Sequence, residues 1–365
     1  MLQTILNPSG TGGINILQLI YNNYKLILVL DYSQIKKYDP SGMHKVYDDW
    51  PKIAREAYES DLEPVYFDGV DHIVFSGMGG SGTLGDLFLS VLSKTPIHVT
   101  VVKGYLLPKT VNQKTLIVTT SISGNTSETL STLEIAKELD SKIIGFSSGG
   151  LLEKFCNKNN IQHKKIPLYN NPRTSFPTYV YSIIKTLNSI IPIDENSIKT
   201  SISQMEDLSK KISSQNLTES NPSLKLAKWM NNIPLIYYPW GLQAAAIRFK
   251  NSIQENMKSH AMIEDAIEAC HNGIVSWEKK SNVKPILIQG SEDYIKTKER
   301  WKILKDYFNQ NNIEFWEIHS IQGDVLSKII NLIYLLDFAT IYRSIINGID
   351  PSPVRSIDFI KKNLK

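Results

Sequence analysis

Two short segments of the chain have the composition of oxyanion-binding loops. Residues 77–82 read GMGGSG, and residues 121–129 read SISGNTSET. Glycine lets backbone N–H groups approach an anion, serine and threonine add hydroxyl donors, and the start of a following helix adds positive potential. We therefore expect both segments to bind a phosphate or a similar anion. The alternative is that the hydroxyl groups only cap the next helix, since Asn125 and Glu128 resemble a capping pair.

The glycine-rich segment by itself also fits G-x-G-x-x-G, a pattern of dinucleotide-binding folds. That class needs an acidic residue near the end of the next strand, where it hydrogen-bonds a ribose hydroxyl. Here the next apolar run, IHVTVVK, ends at Lys103 and contains no carboxylate. A nicotinamide dinucleotide is therefore disfavoured.

Both segments directly follow apolar runs that predict buried strands. Strands are predicted at 72–77, 97–103, 115–121, 142–148 and 163–169, and again at 233–240, 284–290 and 314–320. A long helix is predicted from Asp324 to about Asn347, because Gly348 and two prolines follow it. Short apolar runs alternating with helical patterns favour parallel strands joined by right-handed crossovers. Open sheets of this kind bind ligands at the carboxyl ends of their strands, where both segments lie.

The alternation occurs twice, which predicts an α/β protein with two domains. We assign residues 43–191 to the first domain, 192–222 to a polar connection, and 223–365 to the second domain with a C-terminal tail. Met43 begins the first stretch with clear helical periodicity, so either residues 1–42 are a peripheral N-terminal extension or Met43 is the true start of the protein.

Composition excludes several classes of protein. The 365 residues carry a formal net charge of only +4, and no basic block has the interleaved aromatics of a nucleic-acid-binding surface. The two cysteines lie far apart, which fits a reducing cytosol and gives no zinc spacing. The apolar stretch 14–30 is interrupted by polar residues and is too polar to span a membrane. We expect a cytoplasmic protein without nucleic-acid or membrane partners.

The two loops together resemble the sugar-isomerase (SIS) domain, whose Ser/Thr loop holds the phosphate of phosphosugars. In the second half, residues 241–258 (GLQAAAIRFKNSIQENMK), His271-Asn272 and residues 352–362 (SPVRSIDFIKK) resemble the bifunctional phosphoglucose/phosphomannose isomerases. The resemblance covers nearly everything from Met43 to the C-terminus. It implies two flavodoxin-like αβα SIS subdomains, each with a mainly parallel sheet. It also implies a homodimer, with an active site shared between subunits, that interconverts glucose or mannose 6-phosphate with fructose 6-phosphate.

The resemblance also assigns roles to individual residues. The residues that it places against the substrate are Gly80, Ser81, Ser121, Ser123 and Thr126. It makes Glu255 the catalytic base, His271 the ring-opening residue and Arg173 the stabiliser of the enediolate. A C-terminal lysine of the family matches Lys361, with Lys362 as the alternative. The chain departs from the family pattern at Gln254, where asparagine is usual, and at Met257, where alanine is usual.

Aldose–ketose isomerisation moves a proton between neighbouring carbons. It needs a base, a proton shuttle for ring opening and positive charge near the developing oxyanion. These three suffice, so neither a metal nor an organic cofactor is expected. Two alternatives stay open, namely a non-catalytic SIS-type sugar-phosphate sensor and a SIS isomerase for another phosphosugar. The preference between glucose and mannose epimers, and the subunit that supplies His271, are also open.

Overall fold

The computed structural model describes residues 30–364, in which the first half of the fold is a five-stranded sheet. Its strands are β1 (His72–Ser76), β2 (His98–Val102), β3 (Thr115–Thr120), β4 (Lys142–Ser147) and β5 (Gln162–Lys165). Every pairing is parallel, in the order β2-β1-β3-β4-β5. This is the flavodoxin-like order, whose switch point lies between β1 and β3. Both of these strands are buried throughout, because helices cover the two faces of a parallel sheet.

The second half contains a four-stranded parallel sheet. Its strands are β6 (Ile233–Tyr238), β7 (Met262–Asp265), β8 (Val283–Gln289) and β9 (Trp316–His319). The order β7-β6-β8-β9 repeats the first four positions of the first sheet. The predicted α/β fold with two mainly parallel sheets is therefore confirmed. Strand β7 was not predicted, because its four residues are at most half-buried and pair on one side only, with β6.

Helices connect the strands and cover the sheets. They are α1 (Tyr32–Tyr38), α2 (Met43–Asp48), α3 (Trp50–Glu59), α4 (Gly80–Val91), α5 (Ser127–Glu138), α6 (Gly150–Lys158), α7 (Phe176–Thr186), α8 (Glu195–Ile212), α9 (Pro222–Trp229), α10 (Gln243–Met257), α11 (Ala266–Ala269), α12 (Ile295–Gln310), α13 (Val325–Ile346) and α14 (Arg355–Asn363). A 3₁₀ helix spans Gly273–Glu278. The predicted long helix corresponds to α13, and the Asp324 side chain caps it by accepting a hydrogen bond from the Ser327 N–H.

Helix α13 is apolar because it lies in the core. By length and composition it is the one helix within residues 30–364 that could cross a membrane. However, 89% of its 18-residue apolar window is buried inside the protein. Burial against neighbouring helices therefore accounts for its hydropathy.

The two halves share a continuous core. Trp50 of α3 stacks on Tyr334 of α13, with ring centroids 5.4 Å apart, and lies 6.4 Å from Phe176 of α7. Its indole N–H donates to the Thr174 carbonyl at 2.8 Å. Aromatic side chains from three separate parts of the chain thus fix the first sheet against the helices of the second half.

The segments at the predicted domain boundaries are also part of the packed structure. In α8, which lies in the predicted connection 192–222, Ile198, Ile202 and Met205 are buried, and the helix packs on α13. In the predicted extension, Ile35 is fully buried and Asp39 accepts a hydrogen bond from the Met43 N–H at 3.0 Å. The boundaries themselves stay predictions, and residues 1–29 lie outside the described residues.

Candidate active site

The two predicted anion-binding loops lie side by side at one edge of the first sheet. Ser76 at the end of β1 is in register with Thr119 near the end of β3, so the loops that follow these strands flank the switch point. Open α/β sheets bind ligands in the crevice at this point. The fold therefore places both loops where a phosphate-binding crevice is expected.

The hydroxyl-rich loop is held tightly against the loop that follows β4. Gly124 has φ +71°, and a Cβ atom on it would lie only 1.8 Å from the Gly149 carbonyl oxygen. The Ser121 hydroxyl donates to Thr126 Oγ1 at 3.0 Å. The Ser148 hydroxyl donates to the Ile122 carbonyl at 2.7 Å. Glycine at this position lets the loop take a fixed shape with its hydroxyl groups clustered.

The capping interpretation of this loop is wrong for Asn125. Helix α5 begins after Thr126, whose side chain makes no capping hydrogen bond. The side-chain Oδ1 of Asn125 instead accepts a hydrogen bond from the Leu151 N–H at 3.0 Å, so this side chain joins two loops. The loop hydroxyls are therefore not explained by helix capping.

The glycine-rich turn leads directly into α4. Gly79 has φ +55°, α4 begins at Gly80, and the Ser81 side chain is buried. Lys103, which follows β2, is paired with an acidic side chain of α4. Its ammonium lies between both carboxylate oxygens of Asp86, at 2.6 and 2.7 Å. Burial raises the pKa of Asp86, and the nearby Lys103 opposes that shift.

Glu255 and Arg173, separated by 82 positions in the sequence, are brought together at this edge. Arg173 Nε lies 3.2 Å from Glu255 Oε2, with the arginine side chain 7% and the glutamate side chain 25% exposed. The guanidinium also donates to Asn256 Oδ1 at 2.5 Å and to the carbonyls of Pro351 and Ser352 at 2.9 and 2.5 Å. The predicted base and the predicted arginine thus form an ion pair, in which other hydrogen bonds hold the guanidinium in place.

A buried ion pair that sequence reasoning missed lies behind this unit. Arg248 of α10 donates to Asp337 of α13 at 2.8 Å and to the Arg173 carbonyl at 2.7 Å. The carboxylate of Asp337 also accepts from the hydroxyls of Ser252 and Tyr47, at 2.6 and 3.1 Å. Burial alone would lower the pKa of Arg248, but the adjacent Asp337 raises it above its ordinary value. The only signal in the sequence was that each of the two charged residues stands among apolar neighbours, in AAAIRF and LLDFA.

A cavity of about 760 Å³ opens next to Glu255. It lies between the glycine-rich turn, the end of α10 and the start of α14. The residues that line it are Gly79, Asn251, Gln254, Glu255, Lys258, Asp350, Pro353, Val354, Arg355, Ser356 and Ile357. A carboxylate from the second half therefore faces the same space as the predicted anion-binding turn of the first.

Of the predicted site residues, Glu255 alone is in the wall of this cavity, and Gly80, Ser81 and Arg173 are not in it. His271 is exposed between α11 and the 3₁₀ helix. Lys361 is exposed on α14, one helical turn beyond the cavity-lining Ile357 and on the same face. The hydroxyls of Ser121, Ser123 and Thr126 are likewise not in the wall. Within residues 30–364, no three His, Cys, Asp or Glu side chains group as metal ligands.

Comparison with known proteins agrees with this fold. Residues 219–364 match the family described as the bacterial phospho-glucose isomerase C-terminal SIS domain. Tagatose-6-phosphate ketose/aldose isomerase from Escherichia coli superimposes with a TM-score of 0.61 at 14% identity, covering 88% of this chain and 95% of that one. The chain therefore has the SIS fold.

Two curated relatives define the family more narrowly. The bifunctional phosphoglucose/phosphomannose isomerase of Caldicellulosiruptor bescii is 33% identical over 328 residues, which cover 86% of this chain and 96% of the relative. The enzyme of the same name from Aquifex aeolicus is 29% identical, over 87% of this chain and 94% of the relative. The chain belongs to the bifunctional phosphoglucose/phosphomannose isomerase family.

Proposed function

We propose that the protein is a cytoplasmic isomerase that interconverts glucose 6-phosphate and mannose 6-phosphate with fructose 6-phosphate. The observation that carries the proposal is the position of Glu255, which lies 3.2 Å from Arg173 and shares its cavity with Gly79 of the anion-binding turn. A carboxylate next to a cation and an anion-binding loop provides the groups that proton transfer on a sugar phosphate requires. Membership of the family supports the same substrates.

In this mechanism the two loops of the first half hold the phosphate, and Glu255 acts on the opposite end of the opened sugar. Glu255 removes the proton from C2 of the aldose, and the electron pair forms the C1–C2 double bond as the C1 oxygen gains charge. The O2 proton passes to O1, and Glu255 then returns its proton to C1 to give the ketose. The intermediate is planar at C2, so the reverse reaction can form either the glucose or the mannose configuration.

Arg173 supports this chemistry chiefly by holding the base. Its Nε faces the Glu255 carboxylate, and its terminal nitrogens bind Asn256 and two backbone carbonyls. Since a guanidinium stays charged at any accessible pH, it keeps positive potential beside the carboxylate throughout the cycle. In the proposal this charge also favours the enediolate.

The proposal includes a homodimer in which each active site receives residues from both subunits. Its support is that His271 and Lys361 are exposed and lie off the cavity of their own chain, so they are available to a neighbouring subunit. In that arrangement His271 opens the sugar ring and Lys361 contacts the substrate. Crosslinking or light scattering measures the oligomeric state directly.

The test is to incubate the purified protein with fructose 6-phosphate in EDTA and to identify the products by NMR. We expect both aldose 6-phosphates to accumulate, because the proposed mechanism needs no metal. Formation of a single epimer would remove the bifunctional assignment. Binding of fructose 6-phosphate without turnover would instead favour a sugar-phosphate sensor, and turnover of a different phosphosugar alone would move the protein to another substrate.

A further inference from the structure

Lys258, to which no role was assigned above, has an unusual backbone conformation at the end of α10. Its φ is +55° and its ψ is +35°, in the left-handed region. Within residues 30–364 the other non-glycine residues with positive φ are Asn160, Asn170 and Asn312. Asparagine tolerates this conformation, whereas lysine adopts it at a cost in free energy. The left-handed residue ends the helix, and here it places a lysine side chain at the cavity wall.

The conformation turns the Lys258 side chain back over the turn that carries Glu255. Its ammonium group donates to the backbone carbonyl of Glu255 and, at 3.2 Å, to that of Pro351. These two bonds fix the ammonium group at the wall of the cavity that Glu255 lines, and they use two of its three N–H groups. The third can serve a bound molecule.

The two cations beside Glu255 differ in what they can offer a substrate. Arg173 is 6% exposed, its Nε is ion-paired with Glu255, and its terminal nitrogens make three hydrogen bonds, to Asn256 and the carbonyls of residues 351 and 352. Lys258 lines the cavity and is exposed. Of these two cations, the Lys258 ammonium group is therefore the one that faces the cavity and can donate to a developing oxyanion.

We propose that Lys258 is a further catalytic residue, whose ammonium group binds the C1 and C2 oxygens of the sugar and stabilises the enediolate. The inference rests on the proposed function and extends it to a residue on the same helix as the base. A charged donor already aimed at the point where negative charge develops is an effective form of transition-state stabilisation. Arg173 then acts mainly as a positioning residue for Glu255.

The surroundings of Lys258 give this role a pH dependence. Partial burial and the charge of Arg173 lower the pKa of Lys258 to about 8, while Asp350 and Glu255 oppose the shift. Arg355 is the other charged residue in the cavity wall. Only the protonated form can stabilise an oxyanion, so activity should fall as the pH rises through about 8. An arginine in its place would stay protonated and remove that decline.

The test compares Lys258→Met and Lys258→Arg with Lys298→Met, which removes an exposed lysine from α12. We expect Lys258→Met to lower kcat about 10²-fold, as loss of one oxyanion donor does, and Lys298→Met to behave like the wild type. Lys258→Arg should recover part of the activity. It should also lack the decline in kcat/KM near pH 8 that the wild type shows.

A binding measurement separates charge recognition from a structural effect. A five-carbon sugar-acid phosphate carries a carboxylate that mimics the enediolate, whereas the matching sugar-alcohol phosphate does not. Calorimetry should show that Lys258→Met weakens binding of the acid at least about tenfold and changes binding of the alcohol less than about twofold. Equal losses for both ligands would overturn the proposal, as would an unchanged decline near pH 8 in Lys258→Arg. A wild-type protein that does not isomerise fructose 6-phosphate would instead defeat the proposed function, independently of the binding result.

Discussion

The carboxyl edges of the two sheets have the same strand order but different loop chemistry. At the first edge, Gly124 allows a loop whose serine and threonine hydroxyls are clustered. At the second edge, the loop after β8, which is equivalent in strand order, contains a carboxylate that occupies its hydrogen-bond donors. Asp293 Oδ2 accepts from the Gly290 N–H and from the Trp301 indole N–H, both at 2.9 Å. The donors of the second edge therefore already have a carboxylate partner within the protein.

This difference shows that the fold supplies a position for a ligand and the loops decide whether one binds. The second half contributes to the crevice in another way. Helix α10 starts at the carboxyl edge of β6 and runs back along the sheet, so Glu255 near its end lies far from the second edge and close to the first. The two halves have thus taken different roles on one scaffold.

The largest expected effect contrasts two ion pairs. Arg248→Met leaves Asp337 buried and without its cation, which should lower the free energy of unfolding by about 3–5 kcal/mol. Lys305→Met breaks the partly exposed pair with Glu317 in the second half and should cost less than about 1 kcal/mol. Urea denaturation of both variants measures this difference. Similar losses in the two variants would mean that burial does not make the Arg248–Asp337 pair more important for stability than the partly exposed one.

The next prediction contrasts two carboxylates. Glu255→Gln keeps an acceptor for Arg173 but removes the base, so kcat should fall by at least about 10²-fold. Binding of inorganic phosphate, followed by calorimetry, should change little. Asp293→Asn at the second edge serves as the control and should leave kcat within about twofold of the wild type. Near-normal turnover by Glu255→Gln would show that another group takes the proton.

A third comparison concerns the space around one glycine at each edge, Gly124 at the first and Gly241 at the second. Alanine at Gly124 combines a positive φ with a collision against the Gly149 carbonyl and should cost about 2–4 kcal/mol. Alanine at Gly241, after β6, also has a positive φ but meets no atom within 4 Å, so about 1 kcal/mol is expected. Thermal unfolding of the two variants gives the ranking. A larger loss at Gly241 would contradict the packing described here.

The smallest expected effect concerns the hydroxyl groups. The double variant Ser123→Ala/Thr126→Ala should raise KM for fructose 6-phosphate about tenfold, because each lost hydroxyl removes roughly 0.7 kcal/mol of hydrogen bonding. The double variant Ser291→Ala/Ser320→Ala removes hydroxyls that bond within the second edge and should leave KM unchanged. Steady-state assays of both decide the point. An unchanged KM in the first variant would exclude its hydroxyls from the phosphate site.

The sequence was informative wherever burial is continuous. Strands β1 and β3 are buried at every residue, so their apolar runs predicted them to within a residue. Strand β5 ends at Lys165 rather than at residue 169, because the following chain leaves the sheet after pairing with β4. Helix α8 has a polar composition, and its buried Ile198, Ile202 and Met205 could have been recognised only by their helical spacing.

The site was less predictable, because its groups meet across long separations in the sequence. Arg248 and Asp337 lie 89 positions apart, and no local pattern pairs them. The left-handed conformation of Lys258 follows from the end of α10 and is not encoded by its residue type. The anion-binding loops were predicted from their own residue types, whereas Glu255 and Arg173 entered through family resemblance. The roles of these residues stay predictions.

The 3.2 Å contact between Arg173 and Glu255 has a consequence for how such a chain can evolve. One member of the pair precedes the polar segment 192–222 and the other follows it. A gene split in that segment would place Arg173 and the predicted phosphate loops on one fragment and Glu255, the predicted base, on the other. Under the proposed function, neither fragment could turn over substrate without the other, so both halves would be selected together.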